Sequence, residues 1–296
     1  MHLLVYADDL PTASAALGLT DLLATRFSVT ADLLAPATFS HEHPFGVLPR
    51  DRVTRLQAAG HAEQAILDAC RTRSYDLVLV APAGRKGLVR MVLGSRVGAL
   101  VHQAPVSVLI ARQIPTSIQQ IVVGISGSPQ SESDARLAGI LARAFDARLS
   151  LAHILSQVPL TYTNLQHVQT ELELFLASED PAARQLRRAR EILAETGLEP
   201  SILLREGLVR DELLALLTEV PADLLVVGAH IRAEARLDYY EDIAEQVAQA
   251  APISTLAIRA EPDWQAWQPL GSPKSPTLLG SGQASADDQS RRTPRR

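Results

Sequence analysis

The chain has 296 residues, 47% of them hydrophobic and 21% charged, with a formal net charge of −5 at pH 7. That apolar content suffices for the buried cores of two domains, and the acidic balance removes any global electrostatic reason to expect nucleic acid or an anionic membrane as partner. One cysteine, Cys70, excludes an internal disulfide, no apolar run reaches the roughly 20 residues of a membrane helix, and Asp8 and Asp9 interrupt the start before a signal sequence could form. The expectation is a cytoplasmic protein with no membrane insertion.

In chain order, LLVYA at 3–7 reads as a short apolar strand, Thr12 to Arg26 has helical spacing, and FSVTADLL at 27–34 is a second strand. Arg52 to Gln57 makes a third strand, Ala62 to Thr72 a helix, and DLVLVA at 76–81 a fourth, central strand. Ser95 to Ala104 is a helix stopped by Pro105, and VSVLIA at 106–111 closes the first half. After a boundary near Gln113 to Gln119 come strand IVVGI, a helix over Ser131 to Phe145, and strands RLSLAHI and SILLR. Helix Arg210 to Glu219, strand DLLVV, helix Tyr240 to Ala250 and strand STLAI complete the second half.

The halves repeat each other. DLVLVA at 76–81 returns as DLLVVG at 223–228, APVSVLIAR at 104–112 as APISTLAIR at 251–259, and Gly60 as Gly207, all 147 residues further on. The first strands, LLVYAD and IVVGIS, are only 118 residues apart, so the second copy carries about 29 extra residues. That segment, Asn164 to Gly197, is helical in pattern and broken at Pro181, and the first copy therefore lacks one helix. Aliphatic strands alternating with helices give an α/β fold of two tandem doubly wound parallel five-stranded sheets, over 1–113 and 119–260. The stretch 261–296, rich in Pro, Ser, Gly and Gln and ending RRTPRR, reads as a disordered tail.

The stretch APAGRKGLVRMVLGS at 81–95 leaves the central strand where doubly wound sheets bind ligands. Gly84 and Gly87 let a backbone approach a ligand closely, and the turn after Gly94 and Ser95 offers free N–H groups at the positive end of a helix. Arg85, Lys86 and Arg90 add positive charge, so phosphate is the ligand chemistry, with a plain strand-to-helix loop and a serine cap as the alternative.

Ala81, Gly84, Gly94 and Ser95 stand at four places of a spacing of Gly, two residues, Gly, nine residues, Gly, then Ser or Thr. This is the nucleotide signature of the universal stress proteins, which the chain resembles from residue 1 to about 260. Three of the four places match; Ala81 adds a methyl where the family has glycine. The resemblance implies an adenine-nucleotide alpha hydrolase-like fold. It also implies ATP or a related adenine nucleotide, with magnesium as counter-ion, contacted by the glycine loop and by Asp8 after the first strand. The bland reading of Asp8 is a turn aspartate. In the second half Ile231, Glu241 and Asp242 replace Gly84, Gly94 and Ser95, and Ser126 replaces Asp8, which places carboxylates where phosphates would lie. That copy is expected not to bind nucleotide and to serve structure or a partner.

Family members pair their domains through the last strands, so STLAI against VSVLIA is the expected intramolecular contact, with a homodimer as the other assembly the resemblance allows. The function so implied is a stress-response or regulatory protein with an adenine nucleotide and an unidentified protein as partners. A nucleotide-free interaction module and a slow ATPase are the alternatives. No nucleophile, base and orienter stand at recognisable spacing, so no catalytic residue is expected. ISGSPQSES at 125–133 resembles a phosphate loop only faintly, and Ser128 or Ser131 reads as the cap of the next helix. His41 and His43 have no third ligand nearby, so no metal site is expected, and Cys70 reads as a packed helix residue.

Overall fold

The computed structural model describes residues 1–82, 98–113, 116–155, 168–229, 243–259 and 262–271, and of residues 168–171 the backbone alone. The first half runs β1 (His2–Tyr6), α1 (Leu10–Ala24), β2 (Thr30–Ala35), β3 (Val53–Gln57), α2 (Ala62–Thr72), β4 (Leu77–Val80), helical residues 98–103 (α3) and β5 (Val108–Ile110). The second runs β6 (Gln120–Gly124), α4 (Gln130–Phe145), β7 (Arg148–Leu155), α5 (Val168–Ala177), α6 (Pro181–Ala194), β8 (Ser201–Glu206), α7 (Val209–Glu219), β9 (Leu224–Gly228), α8 (Ile243–Ala250) and β10 (Ser254–Ile258). The alternation expected from the sequence is present in both halves, and the break at Pro181 is the start of α6.

The strands form one sheet in the order β3-β2-β1-β4-β5-β10-β9-β6-β7-β8. Within each half the neighbours are parallel, and β5 meets β10 antiparallel with Leu109 opposite Leu256, the expected pairing of the last strands. Because helices cover both faces, the inner strands are buried on both sides, which is why β4 and β10 read as unbroken aliphatic or small-residue runs. Leu3, Val5, Leu77, Leu79, Val123 and Val226 point to the face covered by α1, α4 and α6. Leu4, Val78, Val80, Val122 and Leu225 point to the face covered by α2, α3, α7 and α8. Each core runs without a break from one half into the other.

Gly60 and Gly207, the glycines shared by the repeat, both have positive φ (+73° and +141°) just before α2 and α7. At φ +73° a side chain would meet no neighbour within 4 Å, so at Gly60 backbone conformation alone asks for glycine.

In the first half a loop stands where the second has α5 and α6. The Asp21 carboxylate of α1 accepts hydrogen bonds from the backbone N–H groups of Gly46 (2.6 Å), Val47 (2.9 Å) and Leu48 (3.0 Å). Arg55 of β3 donates to the carbonyls of Phe39 and His41. These anchors let Phe39, Phe45 and Leu48 bury themselves in the core, so the missing helix is replaced by packed loop.

The seam between the halves has an approximate two-fold symmetry that follows the 147-residue repeat. The Arg112 guanidinium donates to the carbonyls of Ala248 and Gln249 (2.8 Å) in the last turn of α8, while Arg259 donates to the carbonyl of Val101 in α3 at 2.9 Å. The Arg112 N–H donates to Ser254 Oγ (3.1 Å), and the Arg259 N–H to Ser107 Oγ (3.4 Å). Helix C-termini expose carbonyls and negative dipole ends, and each arginine satisfies those of the other half.

One boundary differs from the sequence reading. The tail was expected to be disordered from Glu261, yet residues 262–271 lie on the core, with Trp267 only 1% exposed. Its aromatic ring gains more by burial than a low-hydropathy average over the whole tail suggests. Residues 272–296 lie outside the described residues.

Replacing Arg112 by Ala strands two helix carbonyls and is expected to lower unfolding stability by about 2 kcal/mol, with Arg259→Ala about half as costly. Urea denaturation checks both values, and an unchanged midpoint for Arg112→Ala would remove the seam contact from the account of stability.

Candidate functional site

In each half the chain winds outward in two directions from a central pair of strands, β1 and β4 in the first, β6 and β9 in the second. The crevice beyond the carboxyl ends of such a pair is the switch point, where neighbouring connections diverge. Val5 lies opposite Leu79, so Asp8 and Ala81 leave the sheet side by side at the first half's switch point. Asp8 is partly exposed, and its carboxylate accepts the N–H of Asp9 at 2.9 Å, the turn role foreseen as its bland reading. Asp9 caps α1, accepting from the N–H of Thr12 at 2.8 Å and from its hydroxyl at 3.0 Å. Of the seven expected site residues, the structure therefore brings Asp8 and Ala81 together; Gly84, Arg85, Gly87, Gly94 and Ser95 lie outside the described residues, as do Lys86 and Arg90.

The second half's switch point is built differently. Val123 lies opposite Val226, so Ser126 and Gly228 take the places of Asp8 and Ala81. The Ser126 hydroxyl lies 3.0 Å from that of Ser128 and 3.5 Å from that of Ser131. The expectation that Ser128 or Ser131 caps α4 through its side chain is corrected: Pro129 is the cap residue, without a side-chain bond, and the two hydroxyls face Ser126 instead. Ser131 contributes through its backbone, donating its N–H to the Ser128 carbonyl at 3.0 Å. Ile231, Glu241 and Asp242 lie outside the described residues.

Sequence reasoning missed Asp134. It is 1% exposed on the inner face of α4, and the one hydrogen bond given to its carboxylate comes from the Gln130 amide at 3.2 Å. A Cβ on Gly228 would sit 2.4 Å from its Oδ2, so Gly228 makes room for this carboxyl. Burial pushes the group up to about 7, with the Gln130 hydrogen bond opposing part of that shift. The signal was present: Asp134 precedes the buried Leu137, Ala138 and Leu141 by three, four and seven residues, which places it on the apolar stripe of the helix.

Asp32 shows the contrast. It is also buried, in β2, but it accepts from Arg73 Nη1 at 2.7 Å and from the Tyr75 hydroxyl at 2.8 Å, with His2 Nε2 at 3.4 Å. Burial alone would raise its carboxyl, and the hydrogen bonds from Tyr75, Arg73 and His2 outweigh it, leaving it below the usual carboxylate range. Asp32 is a partnered structural charge; Asp134 is a buried carboxyl with no cation paired to it among the described residues. Beside Asp134's helix, His153 of β7 is buried too, its Nδ1 2.7 Å from the Ile125 carbonyl and its ring stacked 5.7 Å from Phe175.

The remaining candidates are quiet. His41 is exposed beside Phe39 and His43 half-exposed beside Phe45, at ring distances of 5.6 and 5.9 Å. Among the described residues no three His, Cys, Asp or Glu side chains gather to hold a metal ion. Burial pushes the Cys70 thiol up to about 11, which suppresses the thiolate and fits a packing role. Among the described residues no helix is long and apolar enough to cross a membrane.

Two doubly wound repeats fused through their last strands define a tandem α/β protein. The universal stress protein family model matches residues 47–112 and again 117–259. The fold is shared with a protein of Pseudomonas aeruginosa UCBPP-PA14 described as a universal stress protein, at a TM-score of 0.60 and 16% identity over 87% of this chain and 92% of that one. A universal stress protein of Archaeoglobus fulgidus DSM 4304 has a TM-score of 0.61 and 12% identity, covering 87% and 98% of the two chains. The chain belongs to the universal stress protein family. The first match begins after β1 and α1, so the place of Asp8 is read from strand order and not from the match.

The pH dependence of stability isolates Asp134. Its folded value lies above the ordinary 3.8, so the folded state holds a proton that the unfolded chain releases, and the associated stability is present below about pH 4 and lost as pH rises to about 7. Asp134→Asn is expected to flatten that slope and to be more stable than the parent by up to about 4 kcal/mol at pH 8. Urea midpoints at pH 5 and pH 8 decide: an equal pH response in parent and variant would mean that Asp134 titrates as an ordinary exposed carboxyl.

Proposed function

We propose that the first half binds ATP or a related adenine nucleotide and that the protein acts in the cytoplasm as a stress-response or regulatory factor. The observation that carries this reading is the first switch point, where Asp8 and the exit of β4 at Ala81 stand at one crevice, followed in sequence by a glycine-rich, basic stretch. The stretch supplies the phosphate chemistry: glycines for close backbone approach, a Gly94-Ser95 helix start, and Arg85, Lys86 and Arg90 for charge. Asp8 would hold the ribose or the magnesium counter-ion, a carboxylate being a suitable ligand for either. Family membership supports the adenine, which the residues alone do not specify.

The second half serves structure or a partner surface. Its switch point has serines in place of Asp8, a buried carboxyl above Gly228, and Glu241 and Asp242 in sequence at the places of Gly94 and Ser95. A like-charge approach to phosphate costs about 4 kcal/mol at 4 Å and an intermediate dielectric, enough to abolish millimolar binding. Nucleotide occupancy of the first half then shifts the surface around its loop, and with it the affinity for a protein partner.

Calorimetric titration of magnesium ATP into the intact protein tests this, with the double change Gly94→Glu and Ser95→Asp as control because it writes the second half's residues into the first. One site is expected, lost in the control. Absence of heat and of thermal stabilisation at millimolar ATP would leave an interaction module built from two altered copies.

A further inference from the structure

Residues 262–271 follow β10, the last strand of the second half, and cross to the first. The Leu270 N–H donates to the Arg26 carbonyl at 2.7 Å, and Pro269 forms an isolated antiparallel bridge with Phe27, at the corner between α1 and β2. Trp267 lies edge-on to Phe27 at 6.0 Å, and Phe27 in turn lies 6.4 Å from Phe145, the last residue of α4. The guanidinium of Arg136, also on α4, lies 5.5 Å over the Trp264 ring. One short segment is thus anchored on both halves.

The attachment is local and thin. The Asp263 side chain accepts the Gln265 N–H at 3.0 Å and its carbonyl accepts the Ala266 N–H at 2.9 Å, so the segment keeps a turn of its own and docks as a preformed piece. Asp263, Gln265, Gln268, Leu270 and Gly271 are exposed, and Trp267 alone is fully buried. Its indole N–H is buried without an acceptor, a cost that docking carries and release removes. The β5–β10 seam, by contrast, has a strand ladder, two buried cores and five arginine or serine hydrogen bonds. Segments with few backbone hydrogen bonds to the body open below the global unfolding free energy.

We propose that residues 262–271 are a releasable clasp: docked, it locks the two halves across the α1 and α4 face, and it undocks as a unit while the sheet stays intact, uncovering Phe27 and Phe145 as an aromatic corner. This stands independently of nucleotide binding.

The chain's two tryptophans, Trp264 and Trp267, both lie in the clasp, so indole emission reports it without a label. The full-length protein is titrated with urea while emission and far-ultraviolet circular dichroism are followed together. Emission is expected to shift to that of exposed indole at a lower urea concentration than the loss of helix and strand signal. Leu270→Pro, which deletes the N–H donated to Arg26, is expected to raise the undocked fraction about tenfold and to lower the emission midpoint alone. Trp264→Phe assigns the remaining signal to Trp267. Coincident transitions in the parent and in Leu270→Pro would make the segment part of one cooperative core and overturn the proposal. So would an emission already that of exposed indole before urea is added.

Discussion

A five-stranded parallel sheet ends on a strand whose outer edge has unpaired N–H and C=O groups, and in this chain the edges of two such sheets meet at β5 and β10. Everything else in the architecture follows from that antiparallel contact. It makes one sheet of ten strands, it lets both apolar layers run across the molecule, and it brings α3 and α8 close enough for each half's arginine to reach the other's helix end. The stretches APVSVLIAR and APISTLAIR are the best-matched repeat in the sequence because both copies must supply the same strand, the same serine and the same arginine to a two-fold contact. A parallel contact could not be built from identical stretches in this reciprocal way.

The same symmetry lets the two switch points be compared position by position. The first keeps a partly exposed carboxylate, Asp8, just after β1. The second has its carboxyl inward at Asp134, against Gly228, where ionisation is opposed by burial. A charge that opposes folding above neutral pH persists in a structure only where packing overdetermines it or where a function uses it. Here packing is sufficient: α4 is held by α6 on one side and by β6 and β9 beneath, and Arg188 of α6 lies 3.5 Å from Glu132 on the same helix.

Most of the fold was legible because its signals are local and repeated. Aliphatic runs marked the strands, Pro105 and Pro181 marked helix limits, and the constant offset of 147 residues fixed the two halves and the strands that join them. Signals that depend on a distant partner were not legible. Asp21 anchoring Gly46 to Leu48 makes a loop behave like the absent helix, yet nothing in HEHPFGVL announces the aspartate 25 residues earlier. Trp267 was hidden by averaging, since one buried ring amid Gln, Pro and Ser barely moves a composition. Asp134 was readable from its helical phase, but a lone carboxyl on an apolar stripe belongs to no motif spacing.

The two-fold contact is also broken where α3 meets α8. Gly98 of α3 and Glu245 of α8 are equivalents under the repeat, and they face each other: a Cβ on Gly98 would overlap Glu245 Oε1 and Gln249 Nε2 at 2.1 Å. The glycine therefore provides the space that the glutamate fills. Were two first halves to meet across β5, glycine would face glycine and leave a gap. Were two second halves to meet across β10, two glutamates would compete for one space, with clash and like charge together. In this chain the mixed pair fills the contact, and covalent linkage supplies it at high effective concentration.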